Sequence, residues 1–172
     1  WQAIQKNQRI LIHGDYDTDG ITASALVAWV LRRNGAQVEC YLPHRIDDGY
    51  GLTAESIAKT NVDNFDLLLT VDCGITSYEA VALALEKNLD LIITDHHTPG
   101  AEPIVATAVV DPKLPGSPLE IQELAGVGVA FKVCQAFLKY GREMSFGGEE
   151  TDLRQVLDLV ALGTVADIVP LL

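Results

Sequence analysis

The segment His13-Gly14-Asp15-Tyr16-Asp17-Thr18-Asp19-Gly20 places one imidazole and three carboxylates at alternate positions. Alternate side chains of an extended backbone share a face, so we expect these four groups to lie close together. Neighbouring carboxylates repel one another and raise their own pKa values unless a cation compensates their charge. The spacing therefore predicts a site for a divalent metal ion.

This segment has two other possible interpretations, a calcium-binding loop and a turn that caps a helix. Asp15, Asp17 and Asp19 followed by Gly20 resemble the opening of an EF-hand calcium loop, but Leu26 occupies the twelfth position, where a glutamate is required. The segment could instead be a turn in which Asp19 or Thr18 caps the following helix. Capping needs only one such residue, so it leaves the other acidic groups unexplained.

Two more segments place polar groups at the ends of apolar runs, Val71-Asp72-Cys73-Gly74 and Thr94-Asp95-His96-His97. Taken alone, Asp72 before a glycine is also typical of an ordinary turn. Neighbouring histidines on an extended segment point in opposite directions. One of them can bind a metal while the other faces a substrate. Asp95 can orient an imidazole without binding the metal itself.

The chemistry of these groups indicates which ion they would hold. Carboxylates with some imidazole favour manganese or magnesium over a structural zinc. We interpret Cys73 as an apolar filler and not as a ligand. There are enough carboxylates for two ions at a separation of about 3.5 to 4 Å, an arrangement that serves displacement at phosphorus. The predicted chemistry is phosphoester hydrolysis.

Arg45 and Asp167 are further candidates, and each keeps an alternative. Arg45 could donate two hydrogen bonds to a phosphate, or it could form a surface ion pair with Asp47 or Asp48. Asp167 is the only charged residue in the apolar stretch 159–172. An ionised group there needs a partner, which could be a metal ion or the backbone of a helix end.

These groups must be positioned by elements that alternate between short apolar runs and segments of helical period, a pattern typical of a parallel sheet. The predicted strands are Arg9 to His13, Val38 to Leu42, Leu67 to Val71, Leu91 to Thr94 and Ala108 to Val110. The predicted intervening helices are Ile21 to Asn34, Thr53 to Lys59 and Ser77 to Asn88. In such sheets, ligands bind beyond the carboxyl ends of the strands.

After the fifth strand the pattern becomes helical, with predicted helices over Val129 to Tyr140 and Leu153 to Leu162. The apolar spacing of the second predicts a stripe packed against the sheet. The run Gly126-Val127-Gly128-Val129 is not a dinucleotide fingerprint, because no convincing strand precedes it. The predicted fold is an open, doubly wound α/β domain with a mainly parallel five-stranded sheet, helices on both faces, and a helical extension over about residues 125–172.

Composition limits the class of protein. The chain has 172 residues, 48% of them hydrophobic and 21% charged, as expected for one packed domain. Its net charge is −12, and its 12 Lys and Arg residues are scattered, so the sequence has no basic stripe that could bind a polyanion. Bound cations or further chain would have to supply positive charge. Three cysteines without a CxxC motif favour the reducing cytoplasm, and the apolar runs are too short to span a membrane. The first residue, Trp1, suggests a fragment of a longer protein.

The motifs resemble a known family. The His13 to Gly20, Asp72 to Gly74, Asp95 to His97 and Gly163 to Asp167 segments are similar to the four ordered motifs of DHH phosphoesterases. Within that superfamily, the segments 45–52, 124–131 and 161–171 resemble the RecJ family, exonucleases that degrade single-stranded DNA from its 5′ end and act in DNA repair and recombination.

The resemblance implies roles for particular residues. Two manganese or magnesium ions would be held by His13, Asp15, Asp17, Asp72, His96 and Asp167, with Asp72 bridging them. His97 would lie beside the scissile phosphate, Arg45 would bind a substrate phosphate, and Asp19 and Asp95 would support the ligands. Cys73, His44 and Asp111 depart from the usual asparagines, and Cys73 puts the tuning of the site in doubt.

The resemblance also implies what this chain lacks and which alternatives remain. RecJ-like proteins carry a DHH-associated domain and an OB-type module that grips DNA, and neither is expected in this sequence. A DHH phosphoesterase acting on small molecules or short oligonucleotides would share every metal ligand. A non-enzymatic relative that uses the fold for binding is a second alternative, although all six ligand candidates are retained.

Overall fold

In the computed structural model, which describes residues 1–45, 49 and 51–171, five parallel strands form one sheet. The strands are β1 (Arg9–Gly14), β2 (Gln37–Tyr41), β3 (Leu67–Val71), β4 (Asp90–Thr94) and β5 (Ala108–Val110). Their order is β2-β1-β3-β4-β5, and every neighbouring pair is parallel. The order in which strands are added to the sheet reverses between β1 and β3. In open α/β folds, ligands bind at this point.

Helices cover both faces of the sheet. They are α1 (Gln2–Gln5), α2 (Thr18–Arg33), α3 (Ala54–Lys59), α4 (Tyr78–Glu86), α5 (Gly126–Glu143) and α6 (Leu157–Ala166). Short 3₁₀ turns span Val62–Asn64, Leu119–Ile121 and Leu153–Val156. None of the helices in these described ranges is both long and apolar enough to cross a membrane.

The alternation of side chains along β1 explains the two-sided core. Ile10 and Ile12 pack in a cluster with α2 and α5, whereas Leu11 lies in a second cluster with α3 and α4. Successive residues of a strand point to opposite faces, so a strand covered on both faces must be apolar throughout. The predicted α/β fold class, with its five-stranded parallel sheet and following helices, is confirmed.

The predicted element bounds differ most in the helical extension. α5 begins at Gly126, three residues before the predicted start, and α6 spans Leu157–Ala166 instead of Leu153 to Leu162. The predicted stripe against the sheet is also wrong, since α6 packs mainly on α2 and α5 and leaves Leu157 exposed. Because α6 is apolar all round, its sequence period does not distinguish the buried side.

Gly163 determines how closely α6 approaches α2. This residue is buried, and a Cβ atom there would collide with Oγ1 of Thr22 and lie 2.9 Å from Oδ1 of Asp19. A residue without a side chain is therefore required at this crossing. The close packing brings the carboxyl end of α6, and Asp167 with it, to the edge where β1, β3 and β4 end.

Candidate metal centre

The turn between β1 and α2 separates the three aspartates of the first motif. Asp17 is the N-cap of α2, and its Oδ1 accepts a hydrogen bond from the Gly20 N–H at 2.9 Å. The expectation that Thr18 or Asp19 caps this helix is therefore wrong. The expected single extended face is also wrong, because the helix begins at Thr18 and turns Asp19 away from Asp15 and Asp17.

Asp19 lies in the first turn of α2 and is almost fully buried. Its Oδ2 accepts a hydrogen bond from the Gly126 N–H at 2.6 Å, and its Oδ1 accepts one from the Val127 N–H at 2.8 Å. These donors are the first backbone amides of α5, which has no side-chain cap of its own. Asp19 thus caps a helix more than one hundred residues away in sequence.

Asp72 ends β3 in a conformation that few residues with side chains adopt. Its φ angle is +61°, in the left-handed region, and its N–H donates to the Thr94 carbonyl at 3.0 Å. Such conformations cost free energy and persist where the surrounding structure holds them, often at functional sites. The Asp72 carboxylate is buried, and its Oδ1 lies 3.1 Å from Nε2 of His96.

The two histidines after β4 have different surroundings. His96 is buried, whereas the His97 side chain is 42% exposed and donates from Nδ1 to Oδ1 of Asp95 at 2.7 Å. That hydrogen bond raises the pKa of His97 above its ordinary value. Burial opposes ionisation of Asp95, but the hydrogen bonds from His97 and Ile75 outweigh it and hold the pKa of Asp95 below its usual range.

Asp167 is the C-cap residue of α6, and its N–H donates to the Gly163 carbonyl at 2.9 Å. Its carboxylate nevertheless turns toward the sheet, where Oδ2 lies 3.6 Å from Nε2 of His96. Oδ2 of Asp19 is 3.8 Å from the same nitrogen. The carboxylates of two helices, α2 and α6, therefore converge on one buried imidazole.

Potential ligand atoms form three overlapping groups at this edge, each with its atoms within 4.8 Å of one another. Asp72 belongs to two groups and His96 to two, so the three groups make one continuous centre. The groups are Asp15, Asp17 and Asp72, then Asp72, His96 and His97, and finally Asp19, His96 and Asp167. Asp72 thus joins the β1–α2 turn to the histidines after β4.

The electrostatics of the centre fit divalent cations. Within the described ranges, Oδ2 of Asp15 and Nδ1 of His96 are buried without a hydrogen-bond partner. Oδ1 of Asp72 and Nε2 of His96 are also buried and form no regular hydrogen bond, although they lie 3.1 Å apart. Buried polar atoms are normally paired, so this acidic cluster with few hydrogen-bond donors fits a bound cation. Burial, followed by the charges of Asp19 and Asp17, raises the pKa of Asp72 to about 10.

His13 does not join any of the three groups in the described part of the chain. It is buried, with Nε2 3.1 Å from Oγ of Ser56 on α3 and Nδ1 3.8 Å from Sγ of Cys73. Burial and the nearby aspartates raise the pKa of the Cys73 thiol well above its ordinary value, which disfavours the thiolate that a metal requires. The ligand role of His13 stays a prediction.

Arg45 is exposed, and its guanidinium carbon lies 5.6 Å from the centre of the Tyr16 ring, within the range of a cation–π contact. Tyr16 follows Asp15 directly, so the guanidinium is held beside the β1–α2 turn. Asp47 and Asp48, the alternative ion-pair partners, lie outside the described residues. Both interpretations of Arg45 therefore stay open.

Sequence reasoning assigned Asp19 only a supporting role and missed the contribution of α5. The structure groups Asp19 with His96 and Asp167, so it is a ligand candidate in its own right. Its alternate spacing after Asp15 and Asp17 was a signal for this role. The amides of Gly126 and Val127 left no comparable signal, because their contact with Asp19 depends on tertiary packing.

Comparison with known proteins points to one family. A sequence model of the DHH family, N-terminal domain, matches residues 9–164. The single-stranded-DNA-specific exonuclease RecJ of Bacillus subtilis is 44% identical over 170 residues, which make up 99% of this chain and 20% of that relative. The chain thus spans about a fifth of the length of this relative.

Solved structures agree with the sequence comparison. A crystal structure of exonuclease RecJ bound to manganese matches with a TM-score of 0.84 and 37% identity, covering 98% of this chain and 41% of that one. RecJ from Thermus thermophilus in complex with Mn²⁺ matches with a TM-score of 0.78 and 34% identity, covering 98% of this chain and 23% of that one.

Proposed function

Because this chain belongs to the DHH family, we propose that it is the catalytic core of a RecJ-like exonuclease that uses manganese or magnesium to hydrolyse single-stranded DNA from its 5′ end. The observation that carries this proposal is the convergence of three groups of carboxylates and imidazoles on Asp72, at the switch point of the sheet. Relatives named as single-stranded-DNA-specific exonucleases support the choice of substrate.

We assign the metal-binding role to the residues that the groups bring together, apart from His97, and to His13 through the family resemblance. Asp72 is the proposed bridge, because it alone belongs to both the group of the β1–α2 turn and the group containing both histidines. The full proposed ligand set is His13, Asp15, Asp17, Asp19, Asp72, His96 and Asp167. Bound divalent ions would polarise the phosphoryl oxygens and stabilise the negative charge that develops at phosphorus.

The side chains of His97 and Arg45 would act on the substrate directly. Asp95 engages Nδ1 of His97 and favours its protonated form, so Nε2 is the nitrogen that would carry a proton to a phosphate or leaving oxygen. Arg45, beside the β1–α2 turn, would pair with a phosphate of the strand. Both groups would then contribute charge at the reacting phosphodiester.

The acidity of the chain bears on how DNA would be held. With a net charge of −12, this domain has little long-range attraction for a polyanion. We infer that most of the DNA-gripping surface lies in other domains, of the DHH-associated and OB types, and that the ions supply positive charge at the cleavage site. The three unpaired cysteines support a cytoplasmic location.

The proposal is tested by combining metal binding with substrate length. The purified protein should bind Mn²⁺ in calorimetry and hydrolyse bis(p-nitrophenyl) phosphate, a substrate that needs no DNA-gripping surface. The full-length protein that contains this core should also release mononucleotides from 5′-labelled single-stranded DNA, and Asp72→Asn should abolish both activities. Cleavage by the full-length protein that is restricted to very short oligonucleotides would favour the small-molecule phosphoesterase. Bound Mn²⁺ without any phosphodiester hydrolysis would contradict an enzymatic role.

A further inference from the structure

The first turn of α5 has an unusual composition for the start of an 18-residue helix. It begins Gly126-Val127-Gly128, and the N-cap residue Ala125 provides no side-chain hydrogen bond. Glycine disfavours helices relative to alanine, and an uncapped amino end leaves backbone donors unsatisfied. This segment therefore has a poor local sequence for a helix start, and its composition needs another explanation.

The contacts of Gly126 supply that explanation. Its N–H donates to Asp19, and the next amide, that of Val127, donates to the other oxygen of the same carboxylate. A Cβ atom built on Gly126 would lie 2.5 Å from Oδ1, 2.6 Å from Cβ and 2.7 Å from Cγ of Asp72. The α-carbon of Gly126 therefore lies directly against the Asp72 side chain.

Asp72 has little freedom to move away from such an atom. Its side chain is buried, its backbone has a φ angle of +61°, and its N–H is bonded to the Thr94 carbonyl. The colliding atoms would include Cβ and Cγ of Asp72, which are the stem of the side chain and not its flexible end. An alanine at position 126 would therefore displace the carboxylate or the helix.

We propose that the amino end of α5 is a wall of the metal centre and that Gly126 is a positioning residue for Asp72. The helix start aligns Asp19 through two amides and fixes Asp72 through direct contact, so both carboxylates are in place before any ion arrives. This inference rests on the proposed metal-binding function. This role explains the glycine at the start of the run Gly126-Val127-Gly128-Val129, which is not a dinucleotide fingerprint.

Electrostatics favour the same arrangement. The amino end of a helix carries partial positive charge from its unpaired amides, which stabilises nearby carboxylates. Here the amides of Gly126 and Val127 donate to Asp19 and stabilise its negative charge within the acidic cluster. The same helix start therefore lowers the cost of assembling the acidic cluster, while the missing side chain of Gly126 provides the space.

Gly126→Ala and Gly128→Ala form a matched pair for the test. Both replace a buried glycine by alanine in the first turn of α5, but the three atoms nearest to a Cβ at position 128 all belong to the Leu124 side chain, at 3.1 Å or more. In calorimetric titrations with Mn²⁺, Gly126→Ala should bind at least about tenfold more weakly than the unmodified protein. Gly128→Ala should stay within about twofold. Equal affinity in Gly126→Ala and the unmodified protein would overturn the proposal.

A double-mutant cycle with Asp72→Gly separates the contact from general damage to the helix. Glycine accommodates the φ angle of residue 72 and removes the side chain that a methyl group at position 126 would strike. Urea unfolding without metal should show that Gly126→Ala destabilises the unmodified protein but not the Asp72→Gly variant. Equal destabilisation in both backgrounds would refute direct contact.

The cycle also distinguishes failure of the proposed function from failure of the proposed role of Gly126. If the unmodified protein binds no Mn²⁺, the proposed function fails, whereas the stability cycle still reports whether Gly126 positions Asp72. If Mn²⁺ binds and the cycle shows no coupling, the proposed function stands and the role of Gly126 fails.

Discussion

Oδ1 of Asp95 and Nδ1 of His97 are joined by a 2.7 Å hydrogen bond just beyond the carboxyl end of β4. The same carboxylate also accepts hydrogen bonds from the backbone N–H groups of Ile75, His96 and His97, so four hydrogen bonds hold its position. This arrangement orients the His97 ring and favours its charged form. Asp95 therefore acts on His97 both as a geometric support and as an electrostatic partner.

We predict that Asp95→Asn lowers the pKa of His97 toward 6.5, because the charged partner that raises it is removed. If His97 donates a proton, activity falls as pH rises through that pKa, so the alkaline limb of the rate profile should move to lower pH. The free energy of unfolding should fall by about 1 to 3 kcal/mol. NMR titration of the His97 ring measures the first effect, and an unchanged titration would contradict it.

Asp72→Asn should separate metal binding from folding. Asparagine tolerates the left-handed conformation of residue 72 better than alanine does. It also cannot supply the anionic oxygen that we propose bridges two cations. We expect Mn²⁺ affinity and hydrolysis to be lost, while the metal-free protein becomes about 1 to 3 kcal/mol more stable because a crowded buried carboxyl is removed. Calorimetric titration and urea unfolding measure both effects, and tight Mn²⁺ binding by this variant would exclude Asp72 as a bridge.

The raised pKa of Asp72 also predicts how stability depends on pH. Between about pH 4 and its folded-state pKa of about 10, Asp72 is protonated in the folded, metal-free protein and ionised in the unfolded chain. The unfolded state then binds fewer protons, so stability should fall as pH rises, by up to about 1.4 kcal/mol per pH unit.

Saturating Mn²⁺ should reverse this trend, because the ion competes with the proton and its affinity increases with pH. Urea unfolding at several pH values, in EDTA and in Mn²⁺, measures both slopes. The Asp72→Asn variant is the control, since it should lose most of the pH dependence in EDTA. A metal-free stability that does not change between pH 5 and pH 8 would contradict the shifted pKa.

The strands could be predicted because the apolar pattern that indicates a buried strand lies within one short segment of the sequence. A strand covered by helices on both faces must be apolar at nearly every position, and β1, β3 and β4 show such runs. The position of α6 could not be predicted in this way, because an apolar helix has no distinct polar side. Its placement depends on Gly163, which allows contact with residues about 140 positions earlier in the chain.

The candidate metal centre also combines features that are readable from sequence with features that depend on tertiary packing. Strand ends can be read from sequence, so Asp72 and His96 were expected to meet at one edge. The Asp19 contact with α5 joins residues 107 positions apart and is determined by helix packing. The capping role of Asp17 was missed because Thr18, Asp19 and Asp17 are all suitable caps, and only the helix start distinguishes them.

Gly163→Ala should disturb both stability and metal binding. The added methyl group would collide with Thr22 and approach Asp19, so α6 must move away from α2. Overpacking of this kind costs about 1 to 3 kcal/mol. Because Asp167 follows at the end of the same helix, Mn²⁺ affinity should fall as well. Ala161→Gly, at an exposed position of the same helix, is the control and should lose stability without a large change in affinity.

The cysteines should differ sharply in reactivity. Cys40 is exposed, whereas Cys73 and Cys134 are buried. Burial raises the pKa of all three thiols, that of Cys73 well above its ordinary value and that of Cys134 to about 12. We expect iodoacetamide at pH 8 to modify Cys40 first in the folded protein and all three cysteines in urea, as measured by mass spectrometry of peptides. Cys73→Ala should keep most of the Mn²⁺ affinity, because the thiol is not expected to be a ligand. Strongly weakened binding in this variant would instead assign the sulfur a direct role at the centre.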